Sequence, residues 1–580
     1  MPGRRSALST ERALVAALLI GCAPAPAAKV EVPKIAPVAP SSLAPSDFTL
    51  SLLSLNDLHG RLGALPAFGG YVESLRRGRG GTGAVAVVDA GDMFQGTLAS
   101  NGSEGASVIA AYNLLGVRAA ALGNHEFDYG PLGGASVGES ASAQGALRTR
   151  IAEASFPVLS ANLVDVVTGV MPAWNNLAAD ALLDISGVHV GFVGVLTRQT
   201  PSIVMSDYFQ GLDVTALAPA VEARARSLRA RGADAVVVLA HAGADCKHCT
   251  DPRDLSSCDA DVAEAFALAR AVPTGLIDAI VAGHTHAAAA HYVNGVAVVQ
   301  ALSRGKAFGR LDLRFAGAPR RLQEVRPFPP EPLCPNSAEL APCPTHDYEG
   351  RSVQVEPELD AFVNKELELA RRARERLLGV ELAGAVTGAG DRESPLGNLF
   401  ADAMREEVPR ADVALTNGGG LRADLPAGPL SYGALYEAMP FDNRLVKFDL
   451  TADELVRVLA AHLGQGEHGL VSISGVRVKA ACHGGALRLQ LQRVDGRPIA
   501  NSARLTLVTS DYLATGGDRL FSALELERSR IQPVGKLLLR DALALTLGRR
   551  GRIDPGDKRL FDRAHPRIEL PSNRPVACNK

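Results

Sequence analysis

The sequence predicts a two-domain α/β protein, and three observations carry that reading. Apolar, strand-like runs alternate with helix-like stretches between residues 48 and 316, as in layered α/β folds. Five of these runs stop at residues able to bind metal, and strand ends are where α/β sheets place their chemistry. A Glu/Leu/Ala/Arg-rich stretch at 356–380 then reads as one helix leading into a further α/β region at 381–550.

Residues 1–21 read as an export signal. Arg4, Arg5 and Arg12 precede an apolar run at 13–20 that is too short to span a bilayer, which takes roughly 20 such residues. Arg4 and Arg5 lack the rest of a twin-arginine motif; an ordinary secretion signal is the alternative. Leu19-Ile20-Gly21-Cys22 resembles a bacterial lipobox, which implies lipidation of Cys22. The expected setting is therefore the bacterial cell envelope, as a periplasm-facing lipoprotein held to the membrane through Cys22. Residues 22–47, rich in Ala, Pro and Ser, read as an extended tether. No later run is long and apolar enough for a transmembrane helix.

The 580-residue length exceeds one hydrophobic core. A net charge of −2 and a single tryptophan, Trp174, give no support for binding a nucleic-acid polymer. No obligate protein partner is evident. Strands are expected at 48–55, 84–88, 119–122, 188–195, 235–239, 277–281 and 296–300, with a surface helix at 214–231 and a second sheet. Residues 317–355 read as a loop bearing Pro and Cys, and 551–580 as a C-terminal tail.

Eight cysteines suit an oxidising compartment, and setting Cys22 aside leaves an odd seven. Cys334 pairs naturally with Cys343 across the Pro-rich loop, and Cys482 with Cys578 in the tail. Cys246, Cys249 and Cys258 compete for one bridge, with Cys246–Cys258 favoured. A zinc knot using His248 is the alternative.

The five strand-end segments are Leu55-Asn56-Asp57-Leu58-His59, Gly91-Asp92, Gly123-Asn124-His125-Glu126-Phe127-Asp128, His241-Ala242-Gly243 and Gly283-His284-Thr285-His286. Asp57 and His59, two apart, are expected to share one face of a strand end. Asp92 can bridge two cations, Asn124 offers a neutral oxygen, and His241, His284 and His286 supply imidazoles. An oxygen and nitrogen donor set without thiolate suits two divalent ions such as Zn, Mn, Co or Fe. Such a pair, roughly 3.5–4 Å apart, can activate water and clamp phosphoryl oxygens.

Taken together, these segments resemble the calcineurin-like metallophosphoesterase superfamily, and within it the 5'-nucleotidase family, from residue 48 to residue 550. The resemblance implies a four-layer α/β/β/α metal domain at 48–316 and a C-terminal α/β substrate domain. It implies one metal on Asp57, His59, Asp92 and His286 and a second on Asp92, Asn124, His241 and His284. His125 contacts phosphate by the same resemblance, oriented by Asp128.

Asn417-Gly418-Gly419-Gly420-Leu421-Arg422 and Ser510-Asp511-Tyr512-Leu513-Ala514-Thr515-Gly516-Gly517-Asp518 resemble the family's nucleotide-binding motifs. Glycines such as Gly419 let a ligand approach the backbone. The resemblance implies that Phe441 and Tyr512 sandwich a base, Asn417 bonds the base and Asp518 the ribose hydroxyls. Arg392 and Arg422 meet phosphate or ribose oxygens. Tyr512 stands where well-known members carry Phe. The implied activity is hydrolysis of nucleoside 5'-monophosphates. UDP-sugars, nucleoside di- or triphosphates and 2',3'-cyclic nucleotides are alternative substrates, and a non-catalytic nucleotide- or metal-binding surface protein is the remote one.

Overall fold

The computed structural model describes residues 48–80, 85–134, 142–259, 263–334, 340–466 and 469–578; the export signal, the tether and Cys22 lie outside them. Along each central strand of the first domain, alternate side chains enter different cores, as a two-residue period requires. Leu50, Leu52, Ala86 and Val88 face inward, against Val237, Leu239, Ala279 and Val281 of a second sheet. Leu53, Leu55, Val85 and Val87 face outward, under helices that include Leu65–Gly78 and Ala106–Leu115. On the far side, Val236, Val238 and Ala240 pack beneath Leu217–Ala230 and Glu264–Ala271. The layers are thus α/β/β/α. Burying each large apolar side chain contributes about 1.5–3 kcal/mol, so both faces of both sheets anchor the fold.

The first sheet has seven strands, ordered Arg321–Pro332, Ala307–Ala316, Phe48–Leu55, Val85–Asp89, Val117–Ala121, Val158–Leu159 and Leu177–Ala178. The second has six, ordered Ala288–Val293, Val296–Ala301, Ala279–Ala282, Ala235–His241, Val188–Leu196 and Asp180–Ile185. Phe48–Leu55, Val85–Asp89 and Val117–Ala121 run parallel, as do Val188–Leu196, Ala235–His241 and Ala279–Ala282. Their carboxyl ends therefore share one edge.

Three expectations need correction. Residues 317–355 are not all loop, because Arg321–Pro332 pairs along Ala307–Ala316 at the sheet's edge. Its four prolines, Pro327, Pro329, Pro330 and Pro332, are tolerated there because an edge strand leaves one side of its N–H row unpaired. The connecting helix is Pro357–Glu375, capped by the Glu356 carboxylate, which accepts from Leu359 N at 2.6 Å. Beyond it, Leu377 and Leu378 belong to the strand Leu377–Leu382. Residues 551–580 are not a loose tail either: Arg552–Ile553 pairs with Leu377–Leu382, and Ile568–Glu569 with Val476–His483.

The second domain is built on a five-stranded sheet ordered Ser472–Ser474, Val413–Thr416, Arg504–Ser510, Arg444–Thr451 and Gln532–Leu538, flanked by two three-stranded sheets. Disulfides join Cys246 to Cys258, Cys334 to Cys343 and Cys482 to Cys578, leaving Cys249 free. The Cys246–Cys258 bond consumes both thiols, which removes the zinc-knot alternative. Among the described residues no helix is long and apolar enough to cross a membrane.

Candidate active site

All seven expected metal-binding residues gather at the shared strand edge. Asp57, His59 and His286 form one group and Asp92, His241 and His284 another, with the ligand atoms of each within 4.8 Å of one another. Asn124 joins the second, its Oδ1 lying 3.0 Å from His241 Nε2. Asp92 Oδ2 is 3.1 Å from His241 Nε2 and 3.8 Å from His59 Nε2, so this carboxylate faces both groups.

Hydrogen bonding aims the imidazoles. Backbone carbonyls only accept, so His59 Nδ1 donates to Gln95 O at 2.7 Å and His241 Nδ1 to Ala90 O at 3.0 Å. This turns each Nε2 inward as a potential ligand. His59 Nε2 faces His286 Nε2 at 3.0 Å, and His241 Nε2 faces two oxygens. Acceptors converging on acceptors need a cation or a proton between them, so the donor set fits divalent metal. Burial lowers His59 to about 4, keeping it neutral as a ligand must be. Burial acts the same way on His241, but the Asp92 carboxylate outweighs it and raises that ring to about 9. The field that attracts a proton there also attracts a metal ion.

The local backbone is strained. The strand ends at Leu55, so its pleat does not bring Asp57 and His59 together as the two-residue spacing suggested. Both instead have positive φ, 50° and 49°, as do Asp92 (57°), His284 (80°) and His286 (58°). Left-handed backbone at non-glycine residues costs of order 1–3 kcal/mol each and concentrates at functional sites. Gly123 is required for a different reason: a Cβ there would meet Asp92 Oδ1 at 2.1 Å.

Glu126 holds this turn together and was given no role from sequence. Fully buried, its carboxylate accepts from the backbone N–H groups of Asp92 (2.9 Å), Met93 (2.7 Å), Phe94 (3.3 Å) and Gly123 (2.6 Å). Burial, then the adjacent Asp92 carboxylate, raises Glu126 to about 7. Asn56 was likewise missed. Its amide donates to Asp57 Oδ2 at 2.7 Å and accepts from Ala301 N at 2.9 Å, tying the ends of the two sheets together. Both residues lie inside the motifs, but most of their partners are backbone groups.

His125 stands beside the groups rather than in them. Its backbone N–H donates to Asp92 Oδ1 at 2.8 Å, and its Nδ1 lies 2.5 Å from Asp128 Oδ2. Burial opposes a charge on the ring, yet Asp128 and then Asp92 outweigh it and raise His125 to about 10. With Asp128 holding Nδ1, the imidazolium has Nε2–H to offer an anion.

In the second domain the expected substrate residues fall into three groups. Tyr512 OH donates to Asp518 Oδ1 at 2.9 Å and Asn417 Nδ2 to Asp518 Oδ2 at 2.7 Å. The Arg422 guanidinium sits over the Phe441 ring, 5.3 Å from its centroid. Arg392 and Gly419 line a cavity of about 1690 Å³ with Arg563 and Arg574 of the C-terminal segment. Arg392 precedes Ser394, which caps helix Pro395–Glu407 by accepting from Gly397 N at 3.2 Å. Arg540, absent from the sequence reading, is buried behind Phe441. It donates to the carbonyls of Met439 and Phe441 at 3.2 Å each and to Asp442 Oδ1 at 2.7 Å.

Known proteins agree with this architecture. A family model described as calcineurin-like phosphoesterase matches residues 50–288, and one described as 5'-nucleotidase, C-terminal domain, matches residues 380–525. The endonuclease YhcR of Bacillus subtilis is 27% identical over 84% of this chain and 38% of its own length. Protein UshA of Yersinia enterocolitica is 27% identical over 81% of this chain and 86% of its own. The chain spans between 30% and 57% of the length of the first three curated relatives it matches. The crystal structure of a 5'-nucleotidase precursor from Thermus thermophilus, 24% identical, superposes with a TM-score of 0.57 over 90% of this chain and 99% of that one. The chain belongs to the phosphoesterase family that joins a calcineurin-like metal domain to a 5'-nucleotidase C-terminal domain.

Proposed function

We propose that the protein is an exported, lipid-anchored 5'-nucleotidase that hydrolyses nucleoside 5'-monophosphates to nucleoside and phosphate. The observation that carries this reading is a single carboxylate, Asp92, facing two histidine-bearing groups beside His125, whose Nδ1 is held by Asp128. In the proposal Asp57, His59, Asp92 and His286 hold one divalent ion and Asp92, Asn124, His241 and His284 the other. When bound, such a pair supplies Lewis acidity at phosphoryl oxygens and an activated water.

The chain's own groups do the rest. Glu126 fixes the Asp92 turn, and Asp128 fixes the His125 ring so that Nε2–H meets the charge growing on phosphate. Phe441 and Tyr512 sandwich the base, Asn417 bonds the base and Asp518 the ribose hydroxyls, and Arg392 and Arg422 meet phosphate or ribose oxygens. Cys22 is the proposed lipid attachment site; Cys22→Ser should move the protein from the membrane to the soluble fraction.

The test is phosphate release by the chain lacking its leader, before and after EDTA and metal re-addition, on AMP, UMP, ATP, UDP-glucose, 2',3'-cyclic AMP and an aryl phosphate. Metal-dependent release from AMP above the others supports the proposal. Turnover of aryl phosphate alone removes the nucleotide half of it. A second reading has one observation in its favour: the cavity beside Arg392, about 1690 Å³, exceeds the ~300–1,000 Å³ of an ordinary ligand pocket. Faster release from UDP-glucose or ATP than from AMP would select that reading.

A further inference from the structure

Tyr512 lies in the short helix Asp511–Ala514, followed by a turn that doubles back through Gly516 and Gly517 to Asp518. Its ring packs on Gly517, where an added Cβ would come within 2.5 Å of Tyr512 Cε1, so this contact tolerates only glycine. The residue remains 37% exposed, leaving apolar ring surface open to solvent. Its hydroxyl is engaged: it donates to Asp518 Oδ1 at 2.9 Å while Asn417 Nδ2 donates to Asp518 Oδ2 at 2.7 Å. Asp518 has a φ of 51°. One carboxylate on a strained turn is therefore held at both oxygens, by donors from two loops nearly a hundred residues apart in sequence.

A carboxylate so held is a pre-oriented pair of acceptors. Two oxygens at fixed separation match the two hydroxyls of a ribose cis-diol, and prior immobilisation removes the entropy cost of arranging them at binding. A 2'-deoxyribose or 3'-deoxyribose engages only one of the two. We infer that the Tyr512 hydroxyl is a specificity-determining group: it fixes Asp518 as a bidentate acceptor and so sets the preference for ribonucleotides over deoxyribonucleotides. The phenyl ring of the Phe that well-known members carry can stack on a base but lacks this tether. The inference rests on the nucleotidase reading and deepens it. Tyr512 acts on the diol through Asp518, so it is a positioning residue in this respect.

The test compares Tyr512→Phe with the unaltered, metal-loaded protein on AMP, 2'-deoxy-AMP, 3'-deoxy-AMP and an aryl phosphate. The ring is retained, so base stacking is preserved. KM for AMP should rise about tenfold, the scale of one hydrogen bond to a charged group. KM for the deoxynucleotides should rise far less, collapsing the ratio between them. A circular dichroism spectrum and melting temperature matching those of the unaltered protein report that the variant is folded. Asp518→Asn should collapse the same ratio, and adding Tyr512→Phe to it should change the ratio no further. If Tyr512→Phe leaves the ratio of AMP to deoxynucleotides as it was, the inference is overturned while the nucleotidase reading stands. If the unaltered protein turns over aryl phosphate but no nucleotide, both fall together.

Discussion

The metal-facing cluster and the substrate-facing cluster are built on opposite plans. At the strand edge of the first domain, Asp57, His59, Asp92, Asn124 and His241 are each at most 3% exposed; backbone carbonyls hold His59 Nδ1 and His241 Nδ1, the Asn56 amide holds Asp57 Oδ2, and the His125 N–H holds Asp92 Oδ1. In the second domain, Arg392, Gly419 and Tyr512 are exposed, and side-chain hydrogen bonds arrange Asn417, Tyr512 and Asp518. Residues that must hold one geometry against charge repulsion are locked by the core. Residues that must admit and release a ligand are left on loops over a rigid sheet. A substitution in the first cluster should therefore affect every phosphoester, and one in the second only nucleotides.

The sharpest way to break that comparison is Asp92→Ala. Both groups lose a carboxylate, so turnover of AMP and of aryl phosphate should fall to background even with excess metal, and metal content should drop. Substantial aryl phosphate turnover would mean that the two groups do not work as one centre. Next in size is His125→Ala, expected to retain metal but cut kcat on both substrates by about 10²–10³, the scale of removing one transition-state donor. Loss of metal there would make His125 a ligand instead.

Glu126→Gln should be smaller and instructive. One of the oxygens that accept backbone N–H groups becomes an NH₂, which cannot accept. Metal affinity should weaken by about 10–100-fold, as for other groups that orient ligands, with loss of activity recovered at high metal. A fall in kcat that excess metal does not restore would show that Glu126 touches the chemistry.

How much of this was legible follows the same division. The seven metal-facing residues stood out because each closes an apolar run, and the fold brings those ends to one edge. Glu126 did not, although it sits among them, because its partners are backbone N–H groups, three of them more than thirty residues earlier, and backbone donors carry no sequence signature. Arg321–Pro332 was hidden by its prolines, which mark turns more often than edge strands. In the second domain the motifs were visible but their grouping was not. That Asn417 bonds Asp518, that Arg422 covers Phe441 and that Arg540 sits behind Phe441 depends on how distant loops meet.

The smallest expected effect lies where the two regions touch. Helix Leu98–Asn101 follows the Asp92 turn, and Leu98 packs into the core of the second domain. Asn101 Nδ2 donates to Tyr436 OH at 3.2 Å, across the domain boundary. Asn101 Oδ1 accepts from Gly96 N at 3.1 Å and from Tyr129 OH at 2.9 Å. Gly96 follows Gln95, the carbonyl that holds His59, and Tyr129 follows Asp128, the carboxylate that holds His125. One amide thus meets the His59 and His125 loops and the second domain. Tyr436→Phe removes the Asn101 bond between the domains, a neutral one contributing about 1 kcal/mol. Aryl phosphate turnover should change by no more than about fivefold, because the two bonds within the first domain survive. Asn101→Ala breaks all three and should affect aryl phosphate and AMP alike. If Tyr436→Phe instead matched Asn101→Ala on aryl phosphate, the geometry of the metal-facing cluster would depend on the second domain being docked, and the division between a locked centre and an exposed recognition surface would not hold.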